Sequence, residues 1–512
     1  MRSKRRVADD EFDRAASLQA AGDLQGASDI CTEILRRDPS HAGSHYLLGL
    51  IAHALGAGEA AIELLGQAHA LDRGQATYVY ALGIALLAAG REEIARLCFQ
   101  NAVILEPGFA AAHNNLGVVL AERAPTPAME SFRRAISIDA DMVDAHYNLA
   151  KALRKAGRLD EAIAHYRIAV TLQPGLAAAH NNLGIALAQQ NRIDDAIAAY
   201  RAALVADPDC ADAHYNLGTA LLTVGDFAAG FTEYEWRWRT PQLRDQMRAV
   251  AAPLWRGEAG DGRTLLIHAE QGLGDSLQFC RLVPMAAARG WRVVLQMQAP
   301  LVRLLSGLAD EVIDLAAPAP LCAAHVPLLS LPHRLGLTPQ SVPGTPYLYA
   351  DGAMWAAALP PGLHVGLVWA GNPRREAPDF AAVDARRSID PALLAPLADI
   401  AGVALVSLQK TGPAAPFGLF DVMERMADFA DTAALVAALD LVITVDTAVA
   451  HLAGALGRPV WLLNRFDTCW RWGLNRRDNL WYPHMTIYRQ PVPGDWAAVI
   501  GEVVADLAAL VT

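Results

Sequence analysis

The seven letters AAHNNLG at residues 111–117 return unchanged at 178–184, and close variants stand at 144–150 (DAHYNLA) and 212–218 (DAHYNLG). The small residue closing each phrase belongs to a longer series, Ala15, Gly49, Gly83, Gly117, Ala150, Gly184 and Gly218, whose steps are 34, 34, 34, 33, 34 and 34 residues. A second small residue follows twelve positions later at Ala27, Ala61, Ala95, Ala162, Ala196 and Gly230, with Ala128 one residue early where the fourth unit is shortened around APTPA. A chain that rewrites one pattern at this period cannot gather those residues into a single closed core. Each unit has to bury its face against the next.

Further marks recur in most units: a bulky apolar residue (Phe99, Phe132, Tyr166, Tyr200, Tyr234), another alanine (Ala102, Ala135, Ala169, Ala203) and a proline (Pro39, Pro107, Pro174, Pro208). Small residues let two helices approach, the bulky residue fills the gap between units, and proline ends the second helix. This is the tetratricopeptide pattern. About seven repeats cover residues 8–240 and predict an α-solenoid with a concave surface of the kind that holds a polypeptide.

Asn115, Asn148, Asn182 and Asn216 share one position in the first helix of their units, the helix that lines the concave side. A carboxamide is both donor and acceptor, so such a column can pair with an extended peptide backbone without reading its side chains. The plainer alternative is a solvated inner face. The histidines of the phrase (His113, His146, His180, His214, with His45 in register) are expected to pack rather than bind metal. Equivalent helices lie about 8–10 Å apart or more, and no carboxylate column accompanies them.

With 43 basic against 54 acidic residues, the formal charge of −11 gives no general attraction to nucleic acid or anionic membrane. The basic opening MRSKRR is followed by ADDEFDR, where an export signal would need an apolar run of about 7–15 residues. The most apolar stretch, 441–463, is interrupted by Asp446, His451 and Arg458, against the ~20 apolar residues of a membrane span. Cys31, Cys98, Cys210, Cys280, Cys322 and Cys469 lie far apart with no CxxC pair, which points to neither a zinc site nor a disulfide framework. A soluble protein of the reducing cytoplasm is expected.

All eleven tryptophans stand at or after Trp236, so a second fold is expected beyond the repeats. Residues 241–262 read as a linker. From Thr264 buried strands alternate with helices (TLLIHA, GDSLQFCRLVPMAAARG, WRVVLQM, LVRLLSGL, EVIDL), and after Pro360-Pro361 the scheme restarts with HVGLVWAG and runs to PVWLL. Two α/β halves, 263–358 and 359–512, each with a parallel sheet covered by helices, would place a ligand in the cleft between them.

Three strand ends carry candidate chemistry. In HAEQGLGDSLQF, Gln271, Gly272 and Gly274 form a tight turn and Asp275 opens the next helix, as a site residue or simply as a helix cap. In VDTAVAHLAGALG, Asp446 and Thr447 stand at a helix start with Ala448 after them and His451 one turn inside, a terminus suited to a diphosphate; an ordinary cap with a buried histidine is the alternative. In WAGNP, DARRS and SLQK, the residues Trp369, Gly371, Asn372, Arg387, Gln409 and Lys410 emerge towards the same cleft, where the cations can offset phosphate charge. The bland reading is a charged surface loop.

HAEQGLGDSLQF, VGLVWAGNP with Arg387-Ser388, SLQK, DLVITVDTAVAHLAGALGRPVWLL and RWG followed by WYPHMTIYRQ resemble the glycosyltransferase module of bacterial tetratricopeptide proteins. That module is similar to the heptosyltransferase family (family 9) and more distantly to O-GlcNAc transferase. The resemblance covers nearly the whole chain. It implies a GT-B fold, two Rossmann-like halves with the acceptor side first and the nucleotide-sugar side second. It also implies a general-base role for Asp275 and contacts to the donor diphosphate from Asp446, Thr447, Ala448 and His451, with Ala448 standing where the family has glycine. Stabilisation of the leaving group would fall to that helix start with Lys410 or Arg387. No DxD motif stands near these sites, and metal-independent transfer without a cofactor is expected. The asparagine ladder of O-GlcNAc transferase, which holds substrate polypeptide, maps onto the four asparagines above. Protein glycosylation is therefore the leading reading, with flagellin one acceptor class among related enzymes. The alternatives are a peptide-binding scaffold with a degenerate module, and a transferase acting on a lipopolysaccharide sugar, which would keep small-acceptor activity after loss of residues 1–240.

Overall fold

A computed structural model describes residues 2–270, 272–372 and 378–512. Contacts divide the chain into two compact units, Met1–Ala186 and Leu187–Thr512. In the first, successive helices pack in pairs: Arg2–Ala20 with Leu24–Arg37, Ala42–Ala54 with Gly58–Leu71, Ala76–Ala88 with Glu92–Leu105, Ala110–Leu120 with Pro125–Ile138, and Val143–Lys155 with Leu159–Leu172. Helices Ala177–Gln189 and Ile193–Ala206 follow, then Ala211–Val224 packed on Phe227–Tyr234, so that fourteen helices precede Glu235 among the described residues.

The periodic residues explain the pairing. Ala15, Ala27, Ala61, Ala95, Ala128 and Ala162 are fully buried where a larger side chain would hold the helices apart. The first helix of most pairs ends on a residue in the left-handed region: Gly22, Gly56, Gly90, Gly157 and Gly225, with Asn191 taking that place in the sixth repeat. Glycine adopts this conformation without a Cβ clash, and asparagine is the side chain that tolerates it best. In the shortened fourth repeat Pro125 starts the second helix directly.

The histidine column does more than pack. Nε2 of His45, His113, His146, His180 and His214 lies 3.0, 3.1, 3.0, 3.0 and 2.9 Å from the carbonyl oxygen six residues earlier, which belongs to Pro39, Pro107, Ala140, Pro174 and Pro208. A carbonyl can only accept, so Nε2 carries the proton and each imidazole ties the turn entering its own helix.

In the second unit the chain builds two parallel sheets. The first has the order β3-β2-β1-β4, from β1 (Thr264–His268), β2 (Arg292–Met297), β3 (Glu311–Asp314) and β4 (Ala324–Pro327). The second has the order β6-β5-β7-β8-β9, from β5 (Leu363–Val368), β6 (Val403–Ser407), β7 (Leu441–Val445), β8 (Val460–Asn464) and β9 (Met485–Arg489). The single helix expected over 274–290 is broken into Leu273–Phe279, a 3-10 turn Cys280–Leu282 and Val283–Ala287, since Pro284 has no N–H to continue the first helix.

The segment expected as a linker is stitched to the first sheet. Leu254 bridges His325 of β4, Trp255 N–H donates to the His325 carbonyl at 2.8 Å, and His325 N–H donates to Pro253 at 3.0 Å. The Trp255 side chain is fully buried, and Arg248 donates to the carbonyls of Leu315 and Ala317. One continuous apolar core holds Leu222, Phe227, Phe231 and Tyr234 of the last repeat together with Trp255, the faces of β1 and β2, and Trp470, Trp472 and Trp481. A second core lies between β5, β7, β8 and the helix Trp496–Val511.

Candidate functional site

The loop after β1 is anchored before it turns. Arg237, in the 3-10 turn Glu235–Arg239 that ends the last repeat, is wholly buried and donates from Nε and Nη2 to the two oxygens of Glu270, each at 3.0 Å. Its remaining donors reach Glu235 Oε1 and Ser330 Oγ, both at 2.7 Å, and Leu329 N–H donates to Glu270 at 2.8 Å. Burial works against the charge on Arg237, but the Glu270 and Glu235 carboxylates outweigh it and hold the guanidinium above its ordinary range. Gln271 lies outside the described residues. Gly272 then caps the helix Leu273–Phe279 and donates its N–H to Asp275 Oδ2 at 3.2 Å.

The other oxygen of Asp275 accepts from Arg471, in the turn Trp470–Trp472 of the second half. Arg471 Nε also donates to Gln278 Oε1 at 2.7 Å. Burial disfavours the Arg471 charge, yet the adjacent Asp275 carboxylate and Cys469 hold it firmly protonated. Arg471 and Trp472, with Leu222 and Phe227 of the last repeat and Trp481, line a cavity of about 320 Å³.

At the end of β7 the chain passes Asp446 to Thr447, which caps the helix Ala448–Ala455 with no side-chain cap bond. The Thr447 hydroxyl lies 3.2 Å from that of buried Thr444. His451 is buried, its Nδ1 3.0 Å from Tyr482 Oη and its ring stacked on Trp472 with centroids 5.0 Å apart. Burial, with the charges of Arg471 and Arg281 adding to it, pushes the imidazole well below its usual range, so it is neutral. The two helix starts meet at Gly274, where a Cβ would fall 2.9 Å from His451 Cδ2 and 3.5 Å from the Ala448 Cα. Only the lack of a side chain there lets Asp275 and the Asp446–His451 turn approach so closely.

The third set of residues sits at the ends of β5 and β6. Arg387 closes the helix Pro378–Arg387, donates from Nη1 to the Asp446 carbonyl at 2.8 Å, and grips Asp384 with Nε and Nη2 at 2.9 and 2.7 Å. Gly371 lies against this pair, where a Cβ would stand 2.0 Å from Asp384 Oδ1 and 2.4 Å from Arg387 Nη2. Gln409 spends its carboxamide inside the fold, accepting from Trp369 N–H (2.9 Å) and Ala370 N–H (3.0 Å) and donating to the carbonyls of Ala370 and Thr411. Trp369 is buried with its Nε1 donating to Pro413 at 2.9 Å. These two residues shape the wall rather than presenting open groups. Lys410 is exposed at a cavity of about 400 Å³ and donates to the Met426 carbonyl at 2.8 Å; Asn372 is exposed.

The four ladder asparagines are half-buried. Nδ2 of Asn115 donates to Tyr80 Oη at 2.8 Å, that of Asn148 to Asn114 Oδ1 at 3.1 Å, and that of Asn182 to Tyr147 Oη at 3.0 Å and the Ala178 carbonyl at 2.9 Å. Asn216 is at the equivalent position of the helix Ala211–Val224.

Sequence reasoning gave no role to Arg471, Gln278, Tyr482, Arg237 or Glu270. Glu270, Gln278, Arg471 and Tyr482 stood in the stretches that carry the resemblance, but a salt bridge between residues 196 apart leaves no local spacing to find. Glu270 sits one residue before the glycine turn, where a partner as remote as Arg237 could have been sought only from the rule that a buried carboxylate needs one.

Comparison with known proteins adds a family context. Tetratricopeptide repeat models match residues 12–76, 80–142 and 181–238, and a further TPR repeat model matches 150–191. The model of glycosyltransferase family 9 (heptosyltransferase) matches residues 416–463, which include β7, the Asp446–His451 turn and most of β8. No curated protein matches the chain. Among solved structures, similarity extends to YrrB, described as a TPR protein with an unusual peptide-binding site (22% identity, 36% of this chain and 95% of that one, TM-score 0.32). It also extends to MamA (26%, 31% and 94%, 0.29) and to pilF of Pseudomonas aeruginosa (19%, 41% and 96%, 0.39). The chain is a TPR-containing, glycosyltransferase-like protein. Among the described residues no three His, Cys, Asp or Glu side chains are grouped to hold a metal ion, and no helix is long and apolar enough to cross a membrane.

Proposed function

We propose that the protein is a cytoplasmic glycosyltransferase that moves a sugar from a nucleotide-sugar donor to a polypeptide held in the concave groove of its repeats. In this reading residues 263–358 and 359–512 are the acceptor and donor halves of a GT-B pair. The observation that carries it is the meeting of two helix starts at Gly274, which sets Asp275 beside the Asp446–His451 turn. The acceptor hydroxyl gives its proton to Asp275 while its oxygen bonds to the sugar's anomeric carbon. The bond from that carbon to the diphosphate breaks, and its electron pair leaves with the nucleoside diphosphate. The start of the helix Ala448–Ala455, with Thr447, receives the leaving group's charge; Arg387 braces that start through the Asp446 carbonyl, and Lys410 and Asn372 stand at the rim of the donor side.

The polypeptide enters through the asparagines. In Asn182 both Nδ2 protons are committed within the solenoid, which leaves Oδ1 to accept a peptide N–H; Asn115 and Asn148 continue the column. The test screens nucleotide sugars for binding by thermal shift, then follows donor hydrolysis and transfer to co-expressed proteins by mass spectrometry. Transfer by wild type, lowered about 10²-fold or more in Asp275→Ala, is expected. Equal turnover by the two proteins with every donor bound would remove Asp275 from the reaction.

A further inference from the structure

Asp275 is held from both sides by groups of different origin. Gly272 N–H, from its own turn, donates to Oδ2 at 3.2 Å. Arg471 Nη2, from the other α/β half, donates to Oδ1. The arginine is itself fixed: Nε donates to Gln278 Oε1 at 2.7 Å, Nη1 lies 3.3 Å from Cys469 Sγ, and the guanidinium sits 4.5 Å from the centre of the Trp470 ring. With side chains 11% and 19% exposed, this pair is poorly screened by water, unlike surface pairs whose worth is small.

We propose that Arg471 is a positioning residue for proton acceptance at Asp275, fixing the orientation of the carboxylate so that Oδ2 is the oxygen that takes the proton. The proposal rests on the role of Asp275 given above. Since Oδ1 is committed to Arg471, the proton released when the acceptor O–H bond breaks goes to Oδ2, which holds only the longer bond from Gly272. The other titratable groups around the carboxylate carry no competing charge. His451, on the helix Ala448–Ala455, is held neutral by burial. Tyr215 and Tyr234, from the last repeat, are kept protonated by burial. Arg237 is matched by Glu270 and Glu235. Arg471 is therefore the charged partner that orients Asp275, and because it comes from the second half, the proton acceptor is complete only when both halves are in place.

The test compares kcat and KM for wild type, Arg471→Gln and Arg471→Lys. Arg471→Gln is expected to lower kcat about 10²-fold through lost orientation, with KM for donor and acceptor near that of wild type. Arg471→Lys keeps a positive charge but cannot bridge Asp275 and Gln278, so its kcat falls as well. An unchanged kcat in Arg471→Gln, or a loss carried by KM alone, overturns the proposal. A second readout needs no turnover: the infrared carboxylate bands of Asp275, assigned by their loss in Asp275→Asn, report its hydrogen bonding. Identical bands in wild type and Arg471→Gln overturn positioning by Arg471. Shifted bands in a protein that transfers no sugar support positioning and sink the glycosyltransfer reading instead.

Discussion

His268 stands at the C-terminal end of β1 with its Nε2 3.2 Å from His325 Nδ1 on the neighbouring strand, and both rings are almost wholly buried. Burial, then the nearness of His325, pushes the His268 imidazole from 6.5 down to about 4. As pH falls through 6.5 the unfolded chain takes up the proton first, so stability is full above that value and declines until the folded ring also protonates near 4. Over that window the group removes up to about 3 kcal/mol, from ~1.36 kcal/mol per pH unit. Urea midpoints measured at pH 7.5 and 5 should therefore differ, and His268→Gln should narrow the difference. Equal pH dependence in the two proteins would show that this pair does not set acid sensitivity. The same logic gives the repeat histidines a different part: their Nε2 protons are spent on turn carbonyls, a duty invisible in a register that showed only where an imidazole recurred.

At the scale of elements, the segment between repeats and sheets is the instructive case. Its composition, RDQMRAVAAPLWRGEAGDG, has neither helical nor alternating period, so it reads as a connection. The structure makes it the neighbour of β4, with Trp255 fully buried, its Nε1 donating to Glu258 and its ring packed edge-on to Trp291 at 6.5 Å. Trp255→Ala should cost about 3–5 kcal/mol, seen as a lowered urea midpoint; a cost under about 1 kcal/mol would mean that the segment is only a tether. The repeats, β1 to β3 and β5 to β8 were legible because a 34-residue period and apolar runs are local signals. β4 was not, because Ala324–Pro327 is four residues long and ends in proline, and its identity comes from pairing with β1 and residue 254. Candidate site residues were legible where a turn precedes a helix, as at Asp275 and Thr447. They were illegible where tertiary contact decides: Gln409 and Trp369 emerge at strand ends yet hydrogen-bond inward, and Arg471 reaches Asp275 across the two halves.

For the whole molecule, the boundary between repeats and transferase-like region decides which fragments can stand alone. The period ends near residue 240, so a cut there looks natural. The contacts place it elsewhere: the compact C-terminal unit begins at Leu187, and Leu222, Phe227, Phe231 and Tyr234 lie in the same core as Trp470 and Trp481. A fragment of residues 241–512 loses those four side chains, each worth about 1.5–3 kcal/mol when buried. It also loses Arg237, leaving Glu270 buried without its partner at a cost of about 3–5 kcal/mol. Together these losses are comparable with the roughly 5–15 kcal/mol that holds a typical domain folded. Residues 187–512 should therefore melt cooperatively by circular dichroism and elute as a defined species, while 241–512 should aggregate or lack a transition. A cooperative melt of 241–512 within a few degrees of the longer fragment would show that the last repeat is dispensable. The choice bears on function as well, because removal of residues 1–240 would abolish transfer by unfolding whatever the acceptor. Activity of 187–512 on a small sugar acceptor is the result that would favour a lipopolysaccharide substrate, and its restriction to polypeptide, with loss in the fragment, would favour the groove.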